Sequence, residues 1–89
     1  MRPPLIDRIC IALQTSPSEI RNRKRSWEYS RRRAAIADVL RRRTDMSYSA
    51  IGKFLGGFDH ATIHHGVQLS RSSDCPLHAE MVERIEAAI

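Results

Sequence analysis

Two adjacent glycines, Gly56 and Gly57, constrain this chain more than any other feature. An apolar helical pattern closes just before them on Phe54 and Leu55, and Asp59 follows two residues after them. Glycine readily takes the left-handed backbone that ends a helix, and aspartate is among the strongest caps for a helix that begins. The spacing predicts a helix over roughly 48–55, a tight turn, and a second helix over roughly 60–70. Ser47 caps the first as Asp59 caps the second. Two short helices joined by a glycine turn are the sequence form of a helix-turn-helix.

The rest of the chain is helical in pattern too. Leu5, Ile6, Ile9, Cys10 and Leu13 recur at helical spacing and predict a first helix over roughly 5–14. Ser16-Pro17-Ser18-Glu19 is a capping box with proline at the first helical position, and a short helix ending near Asn22 should follow. A third helix is expected over roughly 30–43, with Ala35, Ile36, Val39 and Leu40 inward and Arg32, Arg33, Arg41 and Arg42 elsewhere. The fourth buries Ile51 with Phe54 or Leu55, and Pro76 opens a last helix with Leu77, Met81, Val82 and Ile85 inward. No alternating apolar run suggests a strand. At 89 residues the chain is one domain, 1–89, an all-α bundle of about six helices with a basic loop at 21–33 and the helix-turn-helix at 47–70.

Charge narrows the function. The net charge is +5, and ten Lys or Arg residues fall between Arg21 and Arg43, opposed only by Glu28 and Asp38. The tail is acidic, with Glu80, Glu83 and Glu86 against Arg84. A basic half beside an acidic half points to a polyanion met by one face. No stretch is long and apolar enough for a membrane span, and the apolar 5–13 segment carries Asp7 and Arg8, which argues against a signal peptide. Cys10 and Cys75 do not make a disulfide framework, and a reduced, cytoplasmic state is expected. His60 and His64 have the spacing of helical zinc ligands but lack an evident third ligand, so no metal and no other cofactor are expected. No nucleophile, base and orienting group come together, so no enzyme is expected either.

The helix after the glycines has two faces. At about 100° per residue, Ile63, Val67 and Ser70 share one side, with Gly66 beside them allowing close helix approach. Ala61, Thr62, His65 and Gln68 fall opposite, on a small polar face without a long acidic side chain that fits a major groove. Asp59 could accept from a cytosine amino group, His60 could meet a base edge or phosphate, and the methyls of Ala61 and Thr62 could pack on thymine. Each good contact of this kind discriminates by about 1–3 kcal/mol. Asp59 as a cap alone and His60 in a polar niche are the structural alternatives. Lys53, and Tyr48 and Ser49 at the start of the preceding helix, are candidates for phosphates. Trp27 and Tyr29 stand beside the basic run, where core anchoring is favoured over stacking on bases.

Ile51-Gly52, Gly56-Gly57, Asp59-His60 and Thr62 resemble the signature of the C-terminal DNA-binding domain of the bacterial replication initiator DnaA. The Glu19-Ile20-Arg21 lead-in and the basic Arg23-Lys24-Arg25-Ser26 run are similar to that family's as well. The resemblance implies a Trp-repressor-like helical fold and double-stranded DNA carrying a DnaA-box-like site as partner. It implies base contacts from Arg25 in the minor groove and from Asp59, His60, Ala61, Thr62 and His65 in the major groove. Phosphate contacts are expected from Lys24, Arg31, Arg33, Arg41, Tyr48, Ser49, Lys53 and Gln68. Ala61 replaces the first of two threonines and loses a hydroxyl, so recognition of the family's usual site is expected to be weaker or shifted; Phe58 stands where the family has arginine, a change expected to bear on packing or phosphate contact more than on base choice. The family's nucleotide-binding motif is absent from the chain, which reads either as part of a larger protein or, the favoured reading, as a free-standing monomeric regulator, bacterial or phage, at the nucleoid. The alternative is a protein-interaction regulator that docks a replication factor, with an exposed Phe58 as its contact.

Overall fold

A computed structural model describes residues 3–22 and 27–89, and for Trp27 the backbone only. Among the described residues six helices follow in order: α1 (Leu5–Leu13), α2 (Pro17–Ile20), α3 (Trp27–Arg43), α4 (Tyr48–Phe54), α5 (His60–Ser72) and α6 (Pro76–Ala88). Local chemistry sets most of the ends. Gln14 closes α1 in the left-handed conformation at φ 57°. Ser16 Oγ accepts from the Glu19 amide at 3.3 Å to start α2, and Ser47 Oγ accepts from the Ala50 amide at 3.1 Å to start α4. The second helix stops at Ile20 rather than near Asn22, because the Asn22 amide bonds the Glu19 carbonyl in a tighter three-residue turn.

α3 differs most from expectation. It begins at Trp27, so the basic stretch drawn as a loop over 21–33 is helical from residue 27. Solvated arginines sit as readily on a helix as in a loop, and Glu28 in the first turn suits the positive end of the helix dipole. From Ala35 to Leu40 every residue is buried, so α3 is enclosed all round at its middle instead of on one face. It is the spine of the bundle, touching α2, α4, α5 and α6, while α1 packs on α6. Ile9, Ile20, Ile36, Leu40, Ile51, Leu55, Val67 and Ile85 fill the core around it. Burying one such side chain stabilises the fold by about 1.5–3 kcal/mol. In α6 the inward register runs through His78, Met81, Val82 and Ile85; Leu77, expected inward, is 69% exposed because it lies one step off that stripe. Cys10 and Cys75 are both free thiols.

Candidate nucleic-acid interface

The α4–α5 turn is built from backbone. Gly56 and Gly57 have φ of 111° and 99°, a region that disfavours any residue with a Cβ. The Gly52 carbonyl accepts from both the Gly57 amide at 2.8 Å and the Phe58 amide at 3.0 Å. That grip pulls the turn so close to α4 that a Cβ on Gly52 would strike the Phe58 carbonyl oxygen. Arg21 braces the same corner from α2, its Nε donating to the Phe54 carbonyl at 3.0 Å.

Asp59 then starts α5, its Oδ1 accepting from the Thr62 amide at 2.8 Å. Hydrogen bonding from Thr62, through its side chain and then its backbone, holds the Asp59 carboxyl below the usual carboxylate range. The cap also fixes the helix phase. Ile63, Val67 and Ser70 are buried, while His60, Ala61, Thr62, His64, His65 and Gln68 are exposed. The two-faced reading of this helix is therefore what the structure shows. His64 belongs to the exposed face, edge-on to the Tyr48 ring with centroids 5.2 Å apart, and its Nε2 lies 3.4 Å from Gln68 Nε2. Arg41 also lies over the Tyr48 ring, its guanidinium 5.0 Å from the centroid, and donates to the Met46 carbonyl at 3.3 Å. Tyr48 is thus half-buried between two helices, whereas Ser49 and Lys53 stand exposed on α4.

The helix pair joined at Gly56-Gly57 lies within a match to a known family. A family model described as the bacterial dnaA protein helix-turn-helix matches residues 4–69. The chain belongs to this DnaA helix-turn-helix family. It is 32% identical over 63 residues to the chromosomal replication initiator protein DnaA of Gloeobacter violaceus, covering 71% of this chain and 14% of that protein. It is also 32% identical over 66 residues to the protein of the same name from Aliarcobacter butzleri, covering 74% of this chain and 15% of that one. The chain thus spans about one seventh of the length of these curated relatives. No solved structure matches it. Among the described residues, no helix is long and apolar enough to cross a membrane.

Within this DnaA-family domain the expected phosphate contacts divide. Arg33 is corrected: it is 8% exposed, and its Nη1 donates to the Ile20 carbonyl at 3.2 Å and the Asn22 carbonyl at 2.7 Å. Its guanidinium also lies 4.8 Å from the Phe58 ring centroid. Phe58 is accordingly half-buried against the core, not the exposed contact that the docking alternative required. Arg31 turns toward the far end of the bundle, where Nη1 donates to Cys75 Sγ at 3.3 Å. Lys24 and Arg25 lie outside the described residues. His60, Ala61, Thr62, His65 and Gln68 are exposed on α5, behind the capping Asp59, and Lys53 and Ser49 are exposed on α4.

Sequence reasoning missed a buried polar chain behind this face. Asp38, 4% exposed, accepts from Ser70 Oγ at 2.8 Å, from Arg42 Nε at 3.1 Å and from Arg71 Nε at 3.1 Å. Ser70 Oγ lies 2.7 Å from His78 Nε2. The one available signal was an aspartate set among the inward positions of α3. Burial, and then the Arg31 cation, push the His78 imidazole below its ordinary value of 6.5, against the opposing pull of Asp38. A histidine that resists protonation when folded contributes stability that is complete above about pH 6.5 and is lost as the pH falls below it. The urea midpoint is expected to drop between pH 7.5 and about 5. The drop should be smaller in His78→Gln, which keeps an N–H donor but does not titrate.

Proposed function

We propose that this domain reads a short, asymmetric, DnaA-box-like site in double-stranded DNA, as a monomer at the nucleoid, in control of replication initiation or transcription. The exposed face of α5 carries the proposal. It starts at a capped N-terminus after a tight turn and presents small polar and imidazole side chains, with no acidic residue beyond the capping Asp59. A helix of that shape enters a major groove without steric or charge penalty. His60, Ala61, Thr62 and His65 are assigned to base edges, and Asp59 to a cytosine amino group while it caps the helix. Lys53, Ser49, Arg41, Gln68 and Lys24 are assigned to flanking phosphates, and Arg25 to a base in the minor groove. Docking of a replication partner through Phe58 loses its support, because that ring packs on Arg33 and the core.

The test is fluorescence anisotropy with two labelled duplexes, one bearing a DnaA box and one scrambled, over a salt series. A preference for the box that persists at physiological salt is expected, with affinity falling steeply as salt rises. Thr62→Ala and His65→Ala should each lower the preference by an amount equivalent to about 1–3 kcal/mol while leaving scrambled-duplex binding unchanged. Equal affinity of wild type for both duplexes would refute base reading and leave only phosphate attraction.

A further inference from the structure

The middle of the α3–α5 contact buries Ile63 and Val67 but is thin along one edge. Ala34, Ala37 and Gly66 face one another there, beside an open groove of about 560 Å³ that Ser30 and Leu69 also line. A Cβ added to Gly66 would lie 3.7 Å from Ala34, ordinary contact with no clash. Small residues and a groove limit the approach of two helices but resist rotation of one on the other poorly. The last turn of α5 supplies what the middle lacks. A carboxylate can only accept hydrogen bonds. Ser70 therefore spends its one hydroxyl proton on Asp38 Oδ2, and the His78 Nε2 beside it must be the donor. Oδ1 of Asp38 accepts from Arg71, also on α5, and from Arg42 on its own helix. Arg42 goes on to Glu86 of α6 at 2.9 Å. Three helices thus close on one buried carboxylate. Ser70, Arg71 and His78 all lie beyond residue 69, where the family match ends.

We propose that Asp38 and Ser70 are positioning residues for DNA reading: with His78 they set the roll of α5 on α3, so that the α6 end of the bundle governs how sharply the opposite end of α5 discriminates between sites. The inference rests on the reading of α5 as the DNA-facing helix. A buried carboxylate held by donors from two helices has one satisfied geometry, and rotating α5 by a few degrees would leave a donor or acceptor unpaired. Thr62, two turns up the same rigid helix, would swing with it.

The experiment is anisotropy of the full chain with the DnaA-box and scrambled duplexes, for wild type, Ser70→Ala and Ser70→Thr, at a temperature where circular dichroism shows all three folded. In Ser70→Ala the ratio of the two affinities is expected to fall about three- to tenfold with scrambled-duplex affinity unchanged, and Ser70→Thr, which keeps the hydroxyl, should restore it. A loss of folded protein would lower both affinities by one factor and leave the ratio alone. A wild-type preference that Ser70→Ala fully retains overturns the latch while base reading stands. Equal wild-type affinities remove base reading and the latch with it. Amide exchange along Ile63–Val67 in the free protein supplies a second measurement: faster in Ser70→Ala and restored in Ser70→Thr is expected, and unchanged exchange overturns the proposal.

Discussion

Gly52→Ala is expected to be the most damaging single-methyl change in this domain, lowering stability by about 3 kcal/mol or more. The added carbon would meet backbone, the Phe58 carbonyl, with Ile63 Cγ1 at 3.4 Å behind it. A side chain could rotate away, but this carbonyl belongs to the turn that Gly52 itself grips through two amides. Relief requires α4 to part from the turn, which breaks those bonds and moves Asp59 away from the start of α5. Thermal unfolding should therefore fall by about 12–24 °C, and box preference should collapse even at temperatures where helix content survives. Gly66→Ala is the control. Its Cβ meets only ordinary contacts, so relief of glycine's helix penalty should raise stability by about 0.5–1 kcal/mol. Equal melting temperatures for Gly52→Ala and wild type would show that the turn is not held as described.

Arg33→Met is expected to cost about 3 kcal/mol and to leave the salt dependence of DNA binding unchanged. The substitution keeps a long apolar stem but strips the donor from two carbonyls and the cation from the Phe58 ring. Charged hydrogen bonds of this kind contribute about 1.5–3 kcal/mol, and the carbonyls left behind are poorly placed to recover water. Loss of a phosphate contact has a different signature, a reduction of the salt slope by about one. Lys53→Ala should show that signature with little loss of stability, since the side chain is exposed. Urea titration and the anisotropy salt series together separate the two arginine roles: a reduced slope with unchanged stability in Arg33→Met would put this residue back on the DNA.

The contrast between these two residues shows what the sequence can reveal. The α4–α5 turn was legible because its causes are local: two glycines, two caps and an apolar stripe, all within about twenty residues of one another. The exposed face of α5 followed once Asp59 set the phase. Arg33 was not legible, because its carbonyl partners lie 11 and 13 residues away, across a charge run that read as solvated. His78 was missed for a similar reason. Hydropathy favours Leu77 for the inward place, but the register of Met81 and Ile85 and a hydroxyl from another helix settle it. The start of α3 at Trp27 was obscured because arginine clusters have no helical period of their own.

Because the α4–α5 corner is gripped by main-chain atoms, its shape is indifferent to what α5 displays. Ala61, Thr62, His65 and Gln68 are exposed, and the cap that orders them belongs to Asp59. Apart from Asp59, which caps the helix and is also assigned to a base, the frame and the text are therefore written largely in different residues. Randomising those four positions should yield a library in which nearly every member folds, and from which readers of new sequences can be selected on an unchanged scaffold.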